Sequence, residues 1–159
     1  MSRLPSLGPR GEGWVALQFI FLGAIAVAGW LFGGTWSGTA RAGSLVVGGL
    51  LIVGGLALAG LGVRDLDRSL SALPRPTERA VLVSHGVYRQ VRHPIYTGLI
   101  AGALGWSLAA ASAVALVVTV GLAVVLDLKS RREEVWLGEK FADYGAYAAR
   151  TKRFLPGLY

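Results

Sequence analysis

A chain of 159 residues allows one compact domain, and 53% apolar residues with a mean hydropathy of +0.55 are too oily for an ordinary soluble one. The absence of cysteine excludes disulfides, thiolate metal sites and cysteine nucleophiles. The net charge of +7 on such a chain reads as the positive-inside bias of a membrane protein rather than as a nucleic-acid surface.

Trp14 to Phe32 is apolar and uncharged, with Gln18 its one clear polar residue. That length suits one crossing of a roughly 30 Å hydrocarbon core, and it is long for a cleaved signal peptide despite Arg3 and Arg10 ahead of it. Ser44 to Val63 is a second span, in which Gly48, Gly55 and Gly62 recur every seven residues. That spacing keeps them near one helix face and predicts a close-packing seam. Arg64 to Pro94 is polar, and "ALPRPTE" around Pro74 and Pro76 cannot be a regular helix, because each proline removes a donor and restricts its predecessor.

Ile95 to Leu126 runs 32 residues without a charge. One helix of that length would measure about 48 Å, more than the core accommodates. Arginine-rich segments flank both ends, so a tight helical hairpin turning near Ser107 to Ser112 is expected. Gly98 and Gly102 form GxxxG, which would pack closely on the other hairpin arm or on helix 2. From Asp127 the chain turns amphipathic and charged, and predicts a helix leaving the membrane and bending back along the interface, with Gly145 a candidate break. Asp127 is expected to pair with Arg131, four residues on.

The expected fold is therefore all-α: a single integral membrane domain, a four-helix bundle with spans at about 14–33, 44–63, 95–110 and 112–128. The loop 64–94 and an amphipathic helical segment, 129–159, lie outside it. With four spans, the N-terminus, the central loop and the C-terminal segment share a side and carry 2, 6 and 7 Lys and Arg residues, against Arg41 alone opposite. That predicts N-in and C-in, with both polar segments cytosolic, as in a bacterial inner membrane.

In that frame "YRQVRHPIYTG", Tyr88 to Gly98, gains a chemical meaning. Pro94 suits the first position of helix 3, where its missing N–H costs nothing. The following N–H groups, with Arg89, Arg92 and His93, would favour an anion. The hairpin returns Glu133 and Glu134 to the same face, so the opposite lobe would favour a cation or hydroxyls. Taken singly, the arginines can be topology signals, the glutamates a solvated face, His93 a helix cap, and His85 structural.

Together, "GVYRQVRHPIYTG", the apolar hairpin, the Glu-Glu pair and "FADYGAYAARTKRFLP" resemble the isoprenylcysteine carboxyl methyltransferase and phospholipid methyltransferase superfamily. The resemblance covers about 74–156. It implies an S-adenosylmethionine-dependent membrane enzyme, releasing S-adenosylhomocysteine and methylating a lipophilic small-molecule or lipid acceptor among membrane lipids at the cytosolic face. It implies that Tyr88, His93, Pro94, Tyr96, Gly98, Gly102, Glu134 and Tyr147 bind the cofactor, and that Arg92, Glu133 and Arg153 act on the acceptor. No metal is expected. The segment Phe141-Ala142-Asp143-Tyr144 is one residue shorter than the family's usual spacing. Two rivals differ in class. Membrane sterol reductases using NADPH share the layout, but Ile95 and Leu99 stand where they carry asparagine and aspartate. A non-catalytic helical bundle would not need the motif. The oligomeric state is open.

Overall fold

The structure, a computed structural model, describes residues 4–159, so Arg3 lies outside the described residues. Five α-helices follow in order: α1 (Glu12–Leu31), α2 (Gly38–Leu66), α3 (Pro94–Ala109), α4 (Ala113–Lys140) and α5 (Tyr144–Arg150). Short 3-10 turns occupy Asp67–Ser69 and Gly86–Arg89. Among the described residues there is no strand, only a single parallel bridge between Val91 and Lys152. Three helices, α1, α2 and α4, are long and apolar enough to cross a membrane, and α3 is apolar but shorter.

The glycine seam of α2 packs on α3. Gly48, Gly55 and Gly62 are buried, together with Ser44, while the rest of α2 is at least partly exposed. A Cβ on Gly55 would stand 2.6 Å from the Gly98 carbonyl oxygen, and one on Gly98 would stand 2.5 Å from that of Gly55. Gly48 and Gly105 oppose each other in the same way, at 2.6 Å from either side. Within a lipid phase apolar burial drives helices together only weakly, so this backbone approach and its dispersion contacts supply the cohesion. Of its two possible partners, the GxxxG segment therefore meets α2.

On the other side of α3, Ile25 of α1, Ala103 of α3, and Leu122 and Leu126 of α4 form the buried core. Residues 110–112 join α3 to α4, with Ala111 at φ 51°. Ser112 caps α4 by accepting from the Ala115 N–H at 3.2 Å, and Ser107 Oγ lies 3.0 Å from Thr119 Oγ1 across the two helices. The α1–α2 loop closes over this end. The Gly34 N–H donates to the Ala110 carbonyl at 2.8 Å, Thr35 Oγ1 to that of Ala111 at 2.6 Å, and Arg41 to that of Ala109.

At the opposite end α4 extends to Lys140, and the break before α5 falls at Phe141–Asp143, not at Gly145. Phe141 turns to an extended conformation (φ −114°, ψ 114°), whereas Gly145 sits inside α5, facing open space where its missing side chain forfeits no contact.

Candidate active site

Pro94 occupies the first turn of α3, where its ring already fits the helical φ. His93 stands at the N-cap position, yet its side chain does not cap the helix. Instead its ring stacks on Tyr96 (centroids 5.2 Å apart, planes 2° from parallel), and Nε2 lies 3.2 Å from Glu134 Oε1.

Glu133 and Glu134 are neighbours on α4, so about 100° of helix rotation separates them, and they meet different partners. Glu134 turns into an ion-pair cluster. Arg92 Nε donates to its Oε1 at 2.9 Å, and Arg153 donates from Nε at 3.0 Å and from Nη2 to Oε2 at 2.8 Å. All three side chains are largely shielded, at 12–16% exposure. Arg92 Nη1 also donates to the carbonyls of Ala148 and Thr151. Backbone bonds sew the C-terminal segment to the motif: the Arg92 N–H donates to the Lys152 carbonyl at 2.8 Å and the His93 N–H to that of Arg153 at 3.1 Å. Asp127 makes the expected pair with Arg131 at 2.7 Å, and also accepts from Arg153 Nη1 at 3.3 Å and from the Tyr159 hydroxyl at 2.9 Å.

Glu133 turns into a cavity of about 350 Å³. Its Oε2 accepts from the Tyr96 hydroxyl at 2.8 Å, and its Oε1 accepts no hydrogen bond among the described residues. Tyr88, Arg92, His93, Tyr96 and Tyr147 line the same cavity. The other residues singled out by resemblance lie elsewhere. Glu134 and Arg153 are committed to each other, Pro94 and Gly98 are buried at the α2 contact, and Gly102 does not reach the cavity. Arg89 and His85 are exposed.

Besides Tyr96, three phenols sit around this site. Burial pushes the Tyr88 and Tyr144 hydroxyls well above the ordinary tyrosine value, and that of Tyr147 up to about 12, so all three stay neutral donors at physiological pH. Tyr88 donates to the Gly62 carbonyl at 3.3 Å and Tyr147 to that of Tyr88 at 2.8 Å. The Tyr144 hydroxyl is buried, belongs to a cavity-lining residue and has no hydrogen-bond partner among the described residues. The Arg153 guanidinium is held above its ordinary value, chiefly by its hydrogen bonds to Glu134.

Two cavity residues were passed over by sequence reasoning. Lys129 entered it only as one of the seven basic residues of the C-terminal segment, and Gln18 only as a polar residue in the first span. Lys129 is 1% exposed, and its Nζ donates to Gln18 Oε1 at 2.7 Å. A signal was present: Lys129 precedes Glu133 by one helical turn, so the two share a face of α4.

The donor set fits S-adenosylmethionine, with a free carboxylate oxygen for its ammonium or ribose hydroxyls, an unpartnered hydroxyl, and flat aromatic walls beside an apolar lining. A family model described as phospholipid methyltransferase matches residues 44–144. The cobalt-zinc-cadmium resistance protein CzcN of Cupriavidus metallidurans is 35% identical over 78 residues, which are 48% of this chain and 36% of that protein. The match thus spans only about a third of that relative's length.

Proposed function

This chain belongs to the phospholipid methyltransferase family, a family of membrane methyltransferases, and from that premise we propose that it transfers a methyl group from S-adenosylmethionine to a lipophilic acceptor at the cytosolic face. The observation that carries this reading is the meeting of both motif halves on one cavity: the Tyr96 hydroxyl on Glu133, beside the unpartnered Tyr144 hydroxyl. S-adenosylmethionine brings a methyl group already activated by its sulfonium, so the protein mainly supplies alignment and a dry site.

In this reading Glu133 Oε1 accepts from the cofactor's ammonium or ribose, and Tyr144 donates to one of its oxygens. His93 and Tyr96 form a stacked wall, with Tyr88 and Tyr147 closing the cavity. For a protic acceptor Glu133 is also the nearest base. Glu134, Arg92 and Arg153 act as positioning residues: their ion pairs bind the C-terminal segment to the start of α3 and hold Tyr144 over the cavity. Gly98 serves the α2 contact, not the adenine, and the Cβ position of Gly102 meets nothing within 4 Å. Four crossings, with both termini in the cytosol, accord with 15 basic residues on one side against one on the other. They bring a water-soluble cofactor and a membrane-borne acceptor to the same cleft.

Calorimetry on the detergent-purified protein tests this. S-adenosylmethionine or S-adenosylhomocysteine is expected to bind, and Tyr144→Phe to weaken binding about tenfold through one lost hydrogen bond to a charged ligand group. A folded protein that binds neither compound rules the reading out, and binding of NADPH instead would place the chain with the reductases.

A further inference from the structure

The cavity has a second polar end that none of the motif residues supplies. It lies at Lys129, whose side chain is fully buried and lines the cavity. An ammonium carries three donors. One goes to Gln18 Oε1 at 2.7 Å, a second makes only a 3.5 Å contact with the Ala72 carbonyl, and Nζ sits 4.8 Å from the Tyr96 ring centre. Among the described residues Lys129 has no ion pair. The nearest carboxylate on its own helix, Glu133, is one turn on, acts on Lys129 only through its field and accepts its hydrogen bond from Tyr96. A buried cation without an adjacent anion is costly, and the cost falls when a ligand brings the anion.

Lys129 and Tyr144 lie toward different ends of the cavity. Tyr144 packs beside Gly138, whose added Cβ would lie 3.8 Å from the Tyr144 ring. Gly138 is nine residues along α4 from Lys129, about 13 Å at the helical rise. Glu133 and Tyr96 lie between. Apolar side chains, Phe19, Leu66, Leu70 and Leu73 among them, make up much of the cavity wall. An acidic head with an oily body matches that combination.

We propose that Lys129, oriented by Gln18, anchors an acidic group (phosphate or carboxylate) of the methyl acceptor, and so selects acidic amphiphiles. This rests on the methyltransferase reading, which assigns the Glu133 and Tyr144 end of the cavity to the cofactor.

The test compares hexyl phosphate, hexanoate and hexanol as ligands of the detergent-purified full chain, with S-adenosylhomocysteine titrated in the same preparations. At least one acid is expected to bind about tenfold tighter than the alcohol, the yield of one charge-assisted hydrogen bond. Lys129→Met, which keeps the length and removes the charge, is expected to abolish that preference while S-adenosylhomocysteine still binds. Preference for hexyl phosphate identifies a phosphate head, and preference for hexanoate a carboxylate. Equal affinity of the wild type for acids and alcohol overturns the anchor, even if Lys129→Met does not fold. So does an acid preference that survives in a folded Lys129→Met. Wild type that prefers an acid yet binds no S-adenosylhomocysteine overturns the methyltransferase reading and keeps Lys129 as an anion site.

Discussion

Alanine at Glu133 and alanine at Glu134, one residue apart, are expected to fail in opposite ways. Glu134→Ala removes the carboxylate that both Arg92 and Arg153 contact, and leaves the largely shielded Arg92 without an ion pair among the described residues and Arg153 with its 3.3 Å pair to Asp127. Breaking a buried ion pair from one side costs about 3–5 kcal/mol, because the surviving charge stays desolvated. For a chain of this size that lowers the melting temperature by about 10 °C. Glu133→Ala loses a single hydrogen bond from Tyr96, about 1 kcal/mol, and opens the cavity slightly. Its melting temperature should stay close to wild type, while S-adenosylhomocysteine binding falls at least about tenfold. Thermal unfolding in detergent and a parallel titration separate the two. Equal stability of both variants would show that Glu134 does not hold the C-terminal segment, and full binding by Glu133→Ala would remove it from the cofactor site.

Leucine at Gly55 should be strongly destabilising. Its Cβ would stand 2.6 Å from the Gly98 carbonyl oxygen and 2.8 Å from the Gly102 nitrogen, and both are backbone atoms that cannot rotate away. The helices must separate along the whole seam, which also opens the Gly48–Gly105 contact. Overpacking of this kind costs about 3 kcal/mol or more. Gly54→Leu is the matched control. Nothing stands within 4 Å of its Cβ position, and leucine improves the helix there by up to about 1 kcal/mol. Melting temperatures of the pair should therefore move in opposite directions. A Gly55→Leu protein as stable as Gly54→Leu would mean that α2 does not pack on α3 through this face.

Much of the architecture was legible from local rules. The seven-residue glycine period marked the buried face of α2 because helical phase is nearly preserved over two turns. Pro94 marked the start of α3, the excess length of the charge-free run required a turn within about Ser107 to Ser112, where residues 110–112 part α3 from α4, and Asp127 found Arg131 at the next turn of the same helix. Each depends on residues a few positions apart, whose relation the helix geometry alone determines. Misreading Gly145 as the break in the tail has the same origin: glycine weakens a helix, but α5 is held by Tyr144 and Tyr147 packing inward, which propensity does not see.

The allocation of the charged residues was decided only in three dimensions. The sequence by itself determined an apolar helical chain with two polar segments brought to one side, and a motif in each of them. Which glutamate faces the cavity depends on the rotation of α4 against α3 and the C-terminal segment, and a step of one residue swings a side chain by about 100°. Gly98 is turned to α2 rather than to a ligand for the same reason. Lys129 meets Gln18 from 111 residues away, and Arg92 meets Glu134 across 42, so neither partnership leaves a trace in local spacing. Packing sets the phase of each helix relative to its neighbours, and that phase turned Glu133 toward the cavity and Glu134 into the ion-pair cluster.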